Sequence, residues 1–194
     1  MNKRDTRGEL VRIASGHMAL NGYNASGIDA ILKEAKIPKG SFYHFFKSKE
    51  DLGLAVIDLF AEALEQKFDT FLSDRAVAPL DRIRNFFENR LGLLIENECS
   101  KGCLLGKFGQ ELSDINERFR FRLEDIFNIW RKRFADCLRV AQAGGELSKE
   151  LDPDVIANFL LSGYEGAILS CKVMRSPRPM KDFIEVLFSS VLRR

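Results

Sequence analysis

Apolar residues recur at intervals of three and four along almost the whole chain, and that pattern restricts it to helices. The clearest stripe is Leu52, Val56, Leu59, Phe60, Ala63, Leu64, Phe68 and Phe71. A second is Phe119, Leu123, Ile126, Phe127, Trp130, Phe134 and Leu138. Such spacing turns one face of an α-helix toward a core, whereas a half-buried strand alternates with period two. Only short runs read as strands, so the expected class is all-α.

Capping residues and breakers divide the pattern into elements. Leu10, Ala14 and Met18 repeat at four, and Gly22 ends that helix. Ser26 reads as the N-cap of a short second helix, with Asp29 closing a capping box. A third short segment starts at Pro38, a favoured first helical position, with Ile37 as its cap. Ser48 and Asp51 open the first long helix. Pro79 precedes a helix from Leu80 to about Glu98, and Gly102, Gly106 and Gly109 make the next stretch looser. Asp114 with Glu117 opens the second long helix, which Gly144-Gly145 ends. Asp152-Pro153 starts another, and Pro177 and Pro179 separate it from a last helix ending near Arg193.

At 194 residues the chain is long enough to bury a core without cross-links. The longest apolar stretch, Phe159 to Cys171, is broken by Glu165 and two glycines, short of the roughly 18 residues of a membrane span. The first residues, Met-Asn-Lys-Arg-Asp, contain no apolar signal segment. Four cysteines without framework spacing argue against a secreted disulfide scaffold. The expected location is the cytoplasm, with no membrane partner. Net charge is only +2, but residues 1–49 carry nine Lys/Arg against four Asp/Glu. A basic first quarter on a slightly acidic body points to an anionic partner at that end.

Residues 26–46 have the layout of a helix-turn-helix, whose second helix enters the DNA major groove. That second helix is PKGSFYHFF, residues 38–46. Lys39 and Ser41 stand near its start, followed by Tyr43 and His44, while Phe42, Phe45 and Phe46 are expected to pack inward. Ile37 offers no capping oxygen, so the first N–H groups are left for an anion. Lys49, in the first turn of the next helix, opposes the helix dipole, and a bound phosphate would reverse that penalty.

GY at 22–23, IPKGSFYHFFKSKEDL at 37–52 and the long helix after them resemble the TetR family of transcriptional regulators. The resemblance covers roughly residues 5–55 and rests most on Gly40, Tyr43, Phe46, Lys49 and Leu52. A later stretch, GCLLGKFGQELSD at 102–114, is similar to a branch of the family that responds to N-ethylmaleimide. The resemblance implies a helix-turn-helix DNA-binding domain at 1–50 and a helical effector-binding and dimerisation domain at 51–194. It implies a homodimeric repressor on a palindromic operator in double-stranded DNA, released by a small-molecule effector. Carried over, the DNA contacts fall on Ser26, Lys39, Gly40, Ser41, Tyr43, His44 and Lys49. Lys39 and His44 would read base edges, Ser41 either base or backbone, and Tyr43 and Lys49 phosphates. Lys3, Arg4 and Arg7 would add backbone contacts. The family usually has Gly where this chain has Lys36, so Lys36 is expected to take a positive φ or the turn to be rebuilt.

Thirteen of the sixteen Phe lie beyond residue 50. An apolar effector pocket would draw on Phe60, Phe86, Phe87, Cys103, Phe108, Phe127, Trp130, Phe134 and Tyr164, against the plainer alternative of core packing. Gly163, Gly166, Ala167 and Ser170 leave room for another helix, and the last helix is apolar on a wide arc through Phe183, Leu187, Phe188 and Val191. The resemblance implies that these two helices form the dimer interface.

No zinc set is complete, no nucleotide-binding or nucleophile motif appears, and no enzyme or cofactor is expected. His17 reads as a boundary residue, and Cys137 and Cys171 as core. GKFG at 106–109 matches an RNA-binding loop only as a string, because that domain needs strands. Cys103 comes just after Lys101 and Gly102 near a helix start, which can activate a thiol. The alternatives are therefore a redox- or electrophile-sensing repressor acting through Cys103, and an all-helical ligand carrier that no longer reads DNA.

Overall fold

The computed structural model describes residues 5–192, and among them the chain is helical with no strand. In order come α1 (Thr6–Asn21), α2 (Ile28–Ala35), α3 (Lys39–Phe42), α4 (Lys49–Leu72), α5 (Pro79–Glu96), α6 (Leu104–Leu112), α7 (Glu117–Ala143), α8 (Pro153–Met174) and α9 (Arg178–Val186), then a π-helical turn at Leu187–Val191. The expected end near Arg193 lies outside the described residues.

Several boundaries match the expected caps. Gly22 ends α1 at φ 87°, Ser48 Oγ accepts from the Asp51 N–H, and Asp152 Oδ1 accepts from the N–H groups of Asp154 and Val155. Others differ. Ser26 does not cap α2: Gly27 does, and the buried Ser26 hydroxyl donates back to Gly22 O at 2.6 Å. Pro38 takes the cap position expected of Ile37. Asn116, not Asp114, opens α7, its Oδ1 accepting from the N–H groups of Arg118 and Phe119. Pro79 is the first residue of α5 rather than a break before it.

The chain forms two compact units that do not correspond to a single cut after residue 50. One takes residues up to Glu62 together with Leu104–Leu123; the other is Ala63–Cys103 with the remainder from Glu124. In the first, Leu10, Ala14, Met18, Ile31, Phe42, Phe46, Leu52 and Val56 are buried beside Leu105, Phe108 and Phe119. Tyr23 lies edge-on to Phe108 and Phe119, at 5.9 and 5.0 Å between centroids. In the second, an aromatic core interlocks. Phe68 stacks on Phe86 at 4.8 Å, Phe87 stacks on Phe134 at 5.5 Å, and Phe68 meets Trp130 edge-on at 6.1 Å.

Candidate nucleic-acid interface

The turn between α2 and α3 is built by the backbone. Lys36 takes the left-handed conformation, φ 56° and ψ 39°. Ile37 N–H bonds Leu32 O at 3.0 Å and Lys36 N–H bonds Lys33 O at 3.2 Å, the paired bonds of a Schellman stop. The expected positive φ is therefore present at a residue with a Cβ, at a cost of about 1 kcal/mol.

This turn presents α3. Phe42 and Phe46 are buried, while Lys39, Gly40, Tyr43 and His44 are exposed and Ser41 is partly so. Phe45 departs from expectation: it is 37% exposed and lies on the outer side of the segment. No side chain caps α3. Lys39 Nζ sits 2.8 Å from Asp29 Oδ1, an exposed pair of the kind that contributes little and is readily exchanged for another anion.

Two residues assigned to DNA by resemblance are engaged elsewhere. Ser26 is 1% exposed, and its hydroxyl closes the α1–α2 turn. Lys49 is half-buried; its ammonium donates to Asn24 O at 3.2 Å and lies 4.5 Å from the centre of the Tyr23 ring. Burial pulls its pKa down from the ordinary lysine value. Arg7 lies over the Phe46 ring at 5.1 Å. Lys3 and Arg4 fall outside the described residues.

α6 fastens this head in a way that periodicity does not reveal. Lys107 Nζ donates to the carbonyls of Ala19 and Leu20, at 3.3 and 3.1 Å, where α1 ends. A cation at that end complements the helix dipole. Glu111 accepts from the N–H groups of Tyr23 and Asn24, at 2.9 and 2.6 Å. Phe108 faces the same way, so it belongs to the core of the first unit and not to a pocket in the second.

The remaining pocket candidates are in the second unit, Phe60 excepted. Phe86 and Phe87 are buried against each other, Phe134 and Tyr164, Trp130 is buried against Phe68 and Phe127, and Phe60 and Phe127 are partly exposed. Cys103 is half-buried just ahead of α6. The polar groups around it come from residues that the sequence presents as ordinary solvated charges. Arg90 Nε donates to Tyr164 Oη at 2.8 Å, and Glu165 has Cys103 and Arg90 as neighbours. Burial raises the Glu165 pKa. Trp130 Nε1, Asn89 Oδ1 and Glu65 Oε1 are buried in the same unit without a partner.

The proposed dimer residues divide between two faces. Gly163 serves packing within the chain: a Cβ there would lie 2.5 Å from Phe183 Cε2. Ala167 and Leu187 are buried within this chain. Phe183 packs on Phe87, and Phe188 lies under Arg84 at 4.1 Å. Val191 is partly covered, and Gly166 and Ser170 are not buried. An unforeseen exposed stripe runs along α8 through Val155, Phe159, Gly166, Leu169 and Val173, at the three-and-four spacing of a helix seam.

Comparison with known proteins matches both parts of the chain. Residues 14–56 fit the model for bacterial regulatory proteins of the tetR family, and residues 79–187 fit the tetracyclin repressor-like C-terminal domain. The transcriptional regulator AcuR of Cereibacter sphaeroides is 39% identical over 174 residues, 90% of this chain and 80% of that protein. The repressor DhaR of Mycobacterium sp. strain GP1 is 35% identical over 192 residues, 99% and 95% of the two chains. Among solved structures, a TetR regulatory protein from Rhodobacter sphaeroides superposes with a TM-score of 0.87 at 38% identity, covering 93% of this chain and 96% of that one. The reduced form of Escherichia coli NemR gives 0.84 at 28%, covering 93% and 94%. An all-helical chain with this helix-turn-helix head is a DNA-binding transcriptional regulator, and the relatives named here are regulators and repressors, not enzymes. The chain belongs to the TetR family.

Proposed function

We propose that the protein is a homodimeric repressor that binds a palindromic operator and leaves it when a small-molecule effector occupies the second unit. The observation that carries this reading is the exposed row Lys39, Gly40, Ser41, Tyr43 and His44 on a segment anchored by buried Phe42 and Phe46. Lys39 and His44 read base edges; Tyr43 and Ser41 hold the backbone; Gly40 admits a close approach. The exposed α8 stripe supplies apolar area for a second copy, so that two heads meet two half-sites about a helical turn apart or a multiple of it.

Release is a matter of the chain path. α6 begins immediately after Cys103, and its Lys107 and Glu111 hold the end of α1 and the turn at Tyr23. An effector that displaces the start of α6 pulls on both fastenings and re-aims α3. Binding must favour the displaced state for release to occur.

The test is binding of the purified protein to DNA just upstream of its own gene, against scrambled DNA of equal length, across a salt series. The expected result is preference for the upstream DNA with affinity falling steeply in salt, because phosphate contacts release counterions. Equal weak binding to both favours a helical ligand carrier instead. A second reading, sensing through Cys103, is favoured by one observation: its thiol neighbours Glu165 and Arg90. Treatment with N-ethylmaleimide then releases the operator from the wild type but not from Cys103→Ser; a fully responsive serine variant excludes it.

A further inference from the structure

A carboxylate stands beside the exposed row of the recognition segment. Asp29 lies in the first turn of α2, where an acid suits the helix dipole. Its side chain reaches across the turn: Oδ1 accepts from Lys39 Nζ at 2.8 Å, with the two side chains 76% and 64% exposed. Glu34, further along α2, bonds His17 of α1 instead. An exposed ion pair of this kind adds little to folding, so stability does not account for Asp29 reaching toward Lys39. The DNA backbone is a line of negative charge, so a carboxylate here opposes binding unless some group on the DNA rewards it. The bond to Asp29 holds the Lys39 pKa above its ordinary value, so the lysine meets DNA as an ammonium.

The major groove contains a group that matches the pair. Guanine shows two acceptors there, N7 and O6, and its partner cytosine shows the N4 amino donor. O6 and N4 are joined by a base-pair hydrogen bond and stand about 2.9 Å apart. Lys39 and Asp29 present the complementary order, donor beside acceptor, at 2.8 Å.

We infer, on the repressor reading above, that Asp29 and Lys39 read one G·C base pair together, Lys39 donating to guanine O6 and N7 while Asp29 accepts from cytosine N4. The ion pair stays closed, and each member adds a base as partner. The other base pairs fit less well. C·G and A·T set an amino donor against the ammonium and an acceptor against the carboxylate. T·A keeps the order, O4 and then N6, but carries a methyl group where guanine has N7. One position of each half-site therefore ranks G first, T second, and A and C last. On other DNA the carboxylate acts as a restraint: if Lys39 leaves for a phosphate, Asp29 is stranded among like charges.

Selection of the full-length protein on a duplex library with a randomised segment, read by sequencing, tests this. The wild type is expected to enrich G over C at one position of each half-site. Asp29→Ala should lower that ratio at least roughly fivefold and leave the other positions as they were. It should also bind unselected DNA more tightly and with a steeper salt dependence, because Lys39 is freed for phosphate. Asp29→Asn, which keeps an acceptor oxygen without the charge, should lie between, and serves if the alanine variant does not fold. A merely supporting side chain would instead lower enrichment at every position alike. An unchanged profile in Asp29→Ala overturns the proposal, as does an equal loss at all positions in both variants, or a wild-type profile without such a G position. A wild type that enriches no sequence overturns the repressor reading as well; one that enriches an operator with a profile indifferent to Asp29 fails here alone.

Discussion

Lys36 is legible from the sequence because the physics there is local. A helix that stops in a Schellman turn needs a left-handed residue at that point, and the chain accepts the strain at a lysine, φ 56°. Ser26 misleads because Ser-Gly-Ile-Asp looks the same whether Ser or Gly caps the helix, and only the fold turns the hydroxyl inward. Arg90 and Glu165 escape a sequence reading because charges on an amphipathic helix are usually solvated, and their burial depends on neighbours distant in sequence. Cys137, core in sequence and structure alike, yields a pH prediction. Its thiol donates to Pro79 O at 3.3 Å, and burial pushes its pKa from 9.0 up to about 11. In that window the unfolded chain has given up a proton that the folded chain keeps, so stability is full below pH 9 and falls as pH rises. The loss is about 2 to 3 kcal/mol by pH 11. Urea denaturation between pH 8 and 11 should show this decline in the wild type. In Cys137→Ala the decline should be shallower, what remains coming from Cys171 and Tyr23, whose pKa values burial also raises, that of Tyr23 to about 12.

The existence and rough extent of the helices can be read from apolar spacing, because that spacing repeats over many turns. Which core each helix faces cannot, and α6 is the clearest case: the same amphipathic pattern fits either unit, and Lys107, Glu111 and Phe108 decide it. The small residues of α8 suggest a close partner helix. For Gly163 that closeness is to Phe183 within the chain, while Gly166 stays open to solvent. Gly53 on α4 makes a similar allowance, since a Cβ there would lie 2.8 Å from Tyr23 Cε2 and 2.9 Å from Phe119 Cζ. Alanine is the better helix former by about 1 kcal/mol, but these rings are locked edge to edge at 5.0 Å. Gly53→Ala should therefore destabilise the protein by about 1 to 2 kcal/mol net. Thermal denaturation checks this, and a stabilised variant would mean the rings yield freely.

For the molecule as a whole, the α8 stripe carries the prediction. Leu169 and Val173 are 49% and 75% exposed, so charging them should cost the single chain little. Leu169→Glu with Val173→Glu is expected to sediment as a monomer with unchanged helical content and to lose tight operator binding; a variant that remains dimeric places the interface elsewhere. α4 and α7 each pass unbroken from one unit into the other, and α6 returns to the first unit after the aromatic core has begun. The unit that carries the DNA-reading turn is therefore not a contiguous stretch of gene. A chimera that grafts residues 1–50 from a relative leaves Lys107, Glu111 and Phe108 of the old host to hold a new α1, so recognition specificity should transfer well only when the second cassette, 104–123, travels with the first.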